Sequence, residues 1–150
     1  MVNNLLRHFL ATLSYRTTLA IKEAPADYIV LKVGGNGRSP LEILNHITFL
    51  MAYTISCYKD YNLAEYRNIH SWETETLRFY DTLEELDGIL REEVLPLTRS
   101  VEQLLQGPFA DAMTHVGQLM MLRRLANAPV PYENYMEADI EIGRIRPGLK

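Results

Sequence analysis

Apolar residues recur at three- and four-residue intervals in four separate stretches of the chain, a spacing that predicts four amphipathic helices. The first stretch runs from Asn3 to about Glu23, with Leu6, Phe9, Leu13, Tyr15, Leu19 and Ile21 among its apolar positions. Asn3 or Asn4 serves as its cap, and Pro25 ends it. The second has a compact start: Ser39 at the cap, Pro40 in the first helical position where its missing N–H costs nothing, and Glu42 three residues after the cap. Its buried stripe is Ile43, Leu44, Ile47, Leu50, Met51 and Thr54. The third opens at Ser71-Trp72-Glu73-Thr74 and continues through Leu77, Phe79 or Tyr80, Leu83, Leu86, Leu90 and Val94 until Pro96 stops it. Glu84, Glu85, Arg91 and Glu92 form its solvated face. The fourth is placed at Pro108 to about Asn127, with Ala112, Val116, Leu119 and Leu122 on the core side.

Between these stretches the pattern breaks. Tyr28 to Val33 is rich in β-branched residues, but no second segment of that kind exists to pair with it, so extended packing is expected rather than a sheet strand. Gly34-Gly35-Asn36-Gly37 is a turn; it lacks the Lys-Ser/Thr and the preceding buried strand of a phosphate loop. Lys59 to His70 is polar and tyrosine-rich, a connection. Ser100-Val101-Glu102-Gln103 has the form of a capping box opening a short helical piece to Gln106, and Gly107-Pro108 then punctuates. Pro129 and Pro131 forbid helix, and Tyr132 to Lys150 reads as an irregular C-terminal tail that wraps the helices. Four amphipathic helices in one small unit describe an all-α four-helix bundle.

Composition narrows the picture. With 150 residues, 47% of them hydrophobic, the chain can bury about two thirds of its surface as a single domain, residues 1–150. Its net charge is −4 and no basic run exceeds Arg123-Arg124, so nucleic acid is a poor partner on electrostatic grounds. Cys57 is the single cysteine, which excludes an internal disulfide and fits a reducing compartment. A thiol nucleophile is one role for it, a buried small apolar residue the other. No apolar stretch approaches the roughly 20 residues of a membrane span, and no signal-like segment opens the chain; a cytoplasmic protein without a membrane partner is expected.

The candidate chemistry sits where ionisable residues enter helices otherwise built for burial. Asp111 and His115 are spaced i, i+4 on the edge of the fourth helix's apolar face, so both side chains can reach one point. Gln118 and Leu122 continue that stripe as a polar neighbour and an apolar floor. His46 falls within the stripe of the second helix. Taken alone, such a histidine is an ordinary hydrogen-bonded core residue. Together, three ionisable groups in one core are costly to bury separately, and a shared metal removes that cost for all three. His8 and His70 lie outside these stripes and are expected at the surface.

His46 in SPLEILNHI and the helix ADAMTHVGQLMMLRRL resemble the two signature helices of the DinB/YfiT-like superfamily. In that family a histidine of the second helix joins an H-x-x-x-H pair on the fourth, the pair is followed by Gly-Gln, and the histidines bind a divalent metal at one end of the bundle. Gly117-Gln118 stands where that dipeptide is expected. Helix order and length fit over nearly the whole chain, while the specific part is His46 and the helix around His115. The resemblance implies an up-down-down-up bundle, frequent homodimers and, from the family's thiol-dependent S-transferases and maleylpyruvate isomerases, metal-thiolate chemistry on a low-molecular-weight thiol.

Asp111 stands where the family has the first histidine of the pair. One outcome is a lost site with Asp111 solvated or paired to an arginine. The other, favoured here, is a retained one, because two imidazoles and a carboxylate form an open-site ligand set for zinc in hydrolases and for iron in oxygenases. The divalent ion expected at His46, Asp111 and His115 is nickel, zinc, iron or manganese. Three protein ligands leave coordination positions for substrate, as in a metal-dependent transferase, isomerase or hydrolase acting on a small molecule. No catalytic acid or base is identifiable; Gln118, Tyr53, Glu133 and Tyr135 are candidates to line the same cavity or close its mouth. The competing expectation is a non-catalytic metal- or small-molecule-binding stress-response protein. A homodimer is expected on either account, since Met120-Met121 and the tyrosine-rich segments supply surplus apolar surface.

Overall fold

The computed structural model describes residues 2–147 and is all-helical; no strand occurs among the described residues. Four long helical segments carry the core. These are α1 (Val2–Ile21), α3 (Pro40–Ser56), α4 (Trp72–Arg91) and α6 (Ala110–Leu125), with single helical turns α2 (Ala26–Ile29) and α5 (Val101–Leu104) between them. Helix α1 packs on α4 and α6, and α3 packs on the same two. Leu10, Leu13, Leu44, Ile47, Phe79 and Leu83 meet in the centre with no exposed surface. Each such side chain contributes roughly 1.5–3 kcal/mol by leaving water.

Several starts and stops follow the sequence rules. Ser39 accepts the Glu42 backbone N–H while Glu42 Oε1 accepts the Ser39 N–H, a closed capping box with Pro40 in the first turn. Ser71 caps α4 through the Thr74 N–H. His8 and His70 are exposed and Cys57 is buried, as expected.

Elsewhere the expectations need correction. Asn3 is not a cap: it lies inside α1 and its amide donates to the Leu90 carbonyl at 3.0 Å, tying α1 to the end of α4. The Tyr28–Val33 segment is not extended throughout, because Ala26–Ile29 forms one helical turn begun by Pro25. That turn drives Tyr28 fully into the core, where its hydroxyl donates to the carbonyls of Ala20 and Leu119. Helix α4 stops at Arg91, not at Pro96; Glu93 takes a positive φ of 57° and turns the chain, leaving Val94 exposed. Leu77, placed on the apolar stripe, is also exposed.

The largest departure is at Pro108. Instead of separating two helices, Gly107-Pro108 lies in a widened π-helical stretch, Leu105–Phe109, that joins α5 to α6 without a break. A π turn carries an extra residue, which gives the proline ring room and absorbs its missing donor where a regular α-turn would clash. Phe109 then packs edge-on against Phe9 with ring centroids 5.6 Å apart.

The tail wraps the helices as anticipated. Ile145 is buried and its carbonyl accepts the Ser14 hydroxyl, Glu133 accepts the Tyr15 hydroxyl, and Arg146 pairs with Asp81 and Glu84. The last residues of that expectation, 148–150, lie outside the described residues. No described helix is long and apolar enough to cross a membrane.

Candidate metal centre

Two neighbouring helices supply the centre: His46 from α3, Asp111 and His115 from α6. The i, i+4 spacing stacks Asp111 and His115 on consecutive turns, and His115 Nε2 lies 3.4 Å from Asp111 Oδ1. From across the helix interface His46 Nε2 comes to 3.8 Å of Asp111 Oδ2. The two imidazoles meet edge to face, at 89° with centroids 4.7 Å apart, and one ligand atom from each of the three residues falls within 4.8 Å of the others.

This geometry fits a shared cation. Two donors each about 2.1 Å from one ion stand about 3.4 Å apart at tetrahedral angles, close to the spacings between the carboxylate and each imidazole. Both histidines turn Nε2 inward, while His115 Nδ1 donates to Gln118 Oε1 at 2.7 Å. That outer hydrogen bond fixes the tautomer that leaves the Nε2 lone pair free toward the centre. His46 is held on its other side by the Phe49 ring, stacked at 6.4 Å. Burial lowers the pKa of His46 below its ordinary value, with the charges of Arg38 and His115 acting in the same direction and Asp111 opposing them. The neutral, ligating form of His46 is therefore the favoured one.

The centre is open. The side chain of Asp111 is 48% exposed, against 25% for His46 and 11% for His115. His115 and Gln118 also form part of a cavity of about 500 Å³ between α3, α6 and the loop before α3. Ile43, Met121 and Leu122 make its apolar wall, and Asn36 and Arg38 its polar rim. Gly37 shapes that rim: a Cβ there would stand 2.0 Å from the Val33 carbonyl oxygen, so only glycine allows the close turn that brings Asn36 and Arg38 over the cavity.

Of the residues singled out in the sequence, His46, Asp111 and His115 converge, and Gln118 and Leu122 line the cavity together with His115. The other three candidates are engaged elsewhere. The Tyr53 hydroxyl accepts a hydrogen bond from Arg99 Nε at 3.2 Å. Glu133 is bound to Tyr15 on α1. Tyr135 carries the Arg16 guanidinium 4.0 Å above its ring and reaches Met120 with its hydroxyl. None of the three lines the cavity over His115. The sequence pattern marks Asn36 only as part of a turn and Arg38 not at all; the available signal for Arg38 is its charge directly before the Ser39 cap of the helix that carries His46. Comparison of the chain with protein-family models, curated proteins and solved structures returned no match.

Proposed function

We propose that this chain is a divalent-metal-binding protein of the DinB/YfiT-like four-helix-bundle type, and that it acts as a metal-dependent enzyme on a small molecule. The observation that carries this reading is the convergence of His46, Asp111 and His115 on one point, with a donor set of two imidazoles and one carboxylate. The directions of the long helices support the bundle type. Asn3 and Arg7 of α1 meet Leu90 and Asp87 of α4, so those helices run oppositely, whereas Phe9 meets Phe109 and the α1 end at Ala20 meets Arg123, so α1 and α6 run together. Asn45 with Glu75, and Lys59 with Glu85, align α3 with α4. These contacts support an up-down-down-up order.

A zinc, nickel, iron or manganese ion held by these residues would supply Lewis acidity toward a substrate carbonyl or thiolate. The protein's own part is to hold His115 in the ligating tautomer through Gln118, to keep His46 neutral by burial, and to leave Asp111 half exposed beside a cavity that His115 lines. A transferase, isomerase or hydrolase fits a centre that is open toward a ligand-sized space, since about 300–1,000 Å³ is usual for small-molecule sites. A low-molecular-weight thiol is the substrate class the family resemblance suggests, and a homodimer its assembly.

One observation favours the non-catalytic alternative: apart from His115 and Arg38, the residues lining the cavity carry no titratable side chain that could serve as general acid or base. Zinc titration separates presence of the centre from its absence. Wild type should take up one equivalent per chain, and His46→Ala and His115→Ala should each abolish stoichiometric uptake while keeping the helical circular dichroism spectrum. Unchanged uptake in both variants would refute the assignment.

A further inference from the structure

The cavity beside the centre is chemically lopsided. Along α3 and α6 its wall is apolar, with Ile43, Met121, Leu122 and Leu125, and two of these, Met121 and Leu125, are about half exposed at 53% and 54%. Across from them the rim carries one charge, the guanidinium of Arg38.

Arg38 has no carboxylate partner among the described residues, whereas Lys32 pairs with Glu42, Lys59 with Glu85 and Arg144 with Asp139 and Glu141; Lys22, Arg67 and Arg124 are likewise without a carboxylate, and what sets Arg38 apart is its place on the cavity. The acid closest to Arg38 in the chain, Glu42, is committed to Lys32 and to the Ser39 backbone. Arg38 and His115 of the centre line the same cavity. A cation without a carboxylate partner beside a site for a dication is electrostatically adverse, since like charges repel. An anion placed in the cavity reverses the sign of that term, and a planar guanidinium favours a carboxylate, which it can hold through two parallel N–H donors.

We infer that this cavity binds small-molecule carboxylates with an apolar body, the carboxylate paired with Arg38 and the body lying along Ile43, Met121, Leu122 and Leu125. The inference rests on the proposed function in taking the triad as the reactive centre of the same cleft. It narrows the substrate class from any small molecule to an organic acid. Gly37 belongs to the device, because the tight turn it permits is what sets Arg38 opposite the apolar wall.

Octanoate and its neutral isostere octanamide are the probes, titrated calorimetrically into the zinc-treated full chain. Wild type should bind octanoate more tightly than octanamide. Arg38→Gln should weaken octanoate at least tenfold and leave octanamide unchanged, Arg38→Lys should fall between, and Leu122→Asp should weaken both probes. Equal octanoate affinity in wild type and Arg38→Gln, equal affinity of wild type for the two probes, or no octanoate binding at millimolar concentration would each overturn the inference. Zinc uptake, measured separately on the same proteins, keeps the two readings apart. Arg38-dependent octanoate binding without zinc uptake sinks the metal centre and leaves the carboxylate site standing, while zinc uptake without Arg38 dependence does the opposite.

Discussion

His115 Nδ1 and Gln118 Oε1 are 2.7 Å apart, one helical turn from each other, and this bond rather than any contact of His115 with the core sets which imidazole nitrogen faces His46 and Asp111. The histidine side chain is only 11% exposed, so a ring free to flip or change tautomer would find few water molecules to replace the amide. Gln118→Leu removes the acceptor at similar size. Outer partners of metal-bound histidines are typically worth 10–100-fold in affinity, and a loss in that range is expected for zinc, read by competition with a chromogenic chelator. Gln118→Glu keeps an acceptor and should bind zinc at least as well as wild type. Equal zinc affinity of the leucine variant would show that Gln118 does not orient the ligand.

A second expectation concerns a charge pair far from the centre. Arg7 Nε and Nη2 donate to the two carboxylate oxygens of Asp87 at 2.8 and 3.0 Å, and the Asp87 side chain is 3% exposed. The tail passes beside the pair at Gly143, whose φ of +87° suits glycine and where an added Cβ would touch the Arg7 guanidinium at 3.4 Å. Asp87→Ala would strand Arg7 there. Breaking a buried pair by removing one partner costs about 3–5 kcal/mol, and urea denaturation should show a loss of that size. Replacing both residues, Arg7→Met with Asp87→Leu, should recover most of it. A loss below about 1 kcal/mol for Asp87→Ala alone would mean that water reaches the pair freely.

These charged residues also mark where sequence periodicity stops being informative. His46, Asp111 and His115 were legible because each interrupts an apolar stripe at helical spacing, and the i, i+4 interval fixes mutual reach within one helix whatever the tertiary arrangement. Glu75 and Asp87 were not: on α4 they stand among glutamates and arginines that really are solvated, and only the packing of α1 and α3 buries them. Glu75, fully buried, is satisfied by Asn45 and by the His70 backbone N–H, partners 30 and 5 residues away that no local pattern connects. Pro108 misled for the opposite reason. The rule against proline in a helix assumes α geometry, and a π turn changes the premise. Tyr28, in a β-branched segment, belongs to a helical turn because tertiary burial of its ring and two hydroxyl hydrogen bonds outweigh a weak local preference.

The tail gives a third expectation, in alkaline solution. Tyr15 donates its phenolic proton to Glu133, and that hydrogen bond, with burial and the carboxylate charge adding to it, pushes the Tyr15 pKa up to about 12. A raised phenol pKa in the fold means that the interaction is intact below the ordinary value of about 10 and is lost as pH rises through about 12. Ultraviolet difference titration of wild type against Glu133→Gln should show one tyrosine moving down toward pH 10 in the variant. Tail docking in wild type, followed by protease sensitivity of residues 132–147, should persist at pH 10.5 and fail near pH 12. Superimposable titration curves for the two proteins would remove Glu133 as the cause.

The final expectation asks what an aspartate does at this centre that a third histidine would not. A histidine must shed a proton near pH 6.5 before it can ligate, whereas an ordinary aspartate is already ionised above about pH 4. Asp111 also brings a negative charge to within 3.4 Å of His115 Nε2 and 3.8 Å of His46 Nε2, so it attracts a cation directly as well as ligating it. Asp111→His should therefore bind zinc at neutral pH and release it more steeply than wild type as pH falls from 7 to 5. Asp111→Ala should weaken binding at every pH, by more than the roughly 10–100-fold expected for an outer partner. Both substitutions fall at a half-exposed position on the first turns of α6, so folding should survive them and circular dichroism is the control. Zinc titrations of the three proteins between pH 5 and 8 decide the matter. Parallel curves for wild type and Asp111→His would mean that the carboxylate gives no pH advantage, and an unweakened Asp111→Ala would show that the centre is built from the two histidines without it.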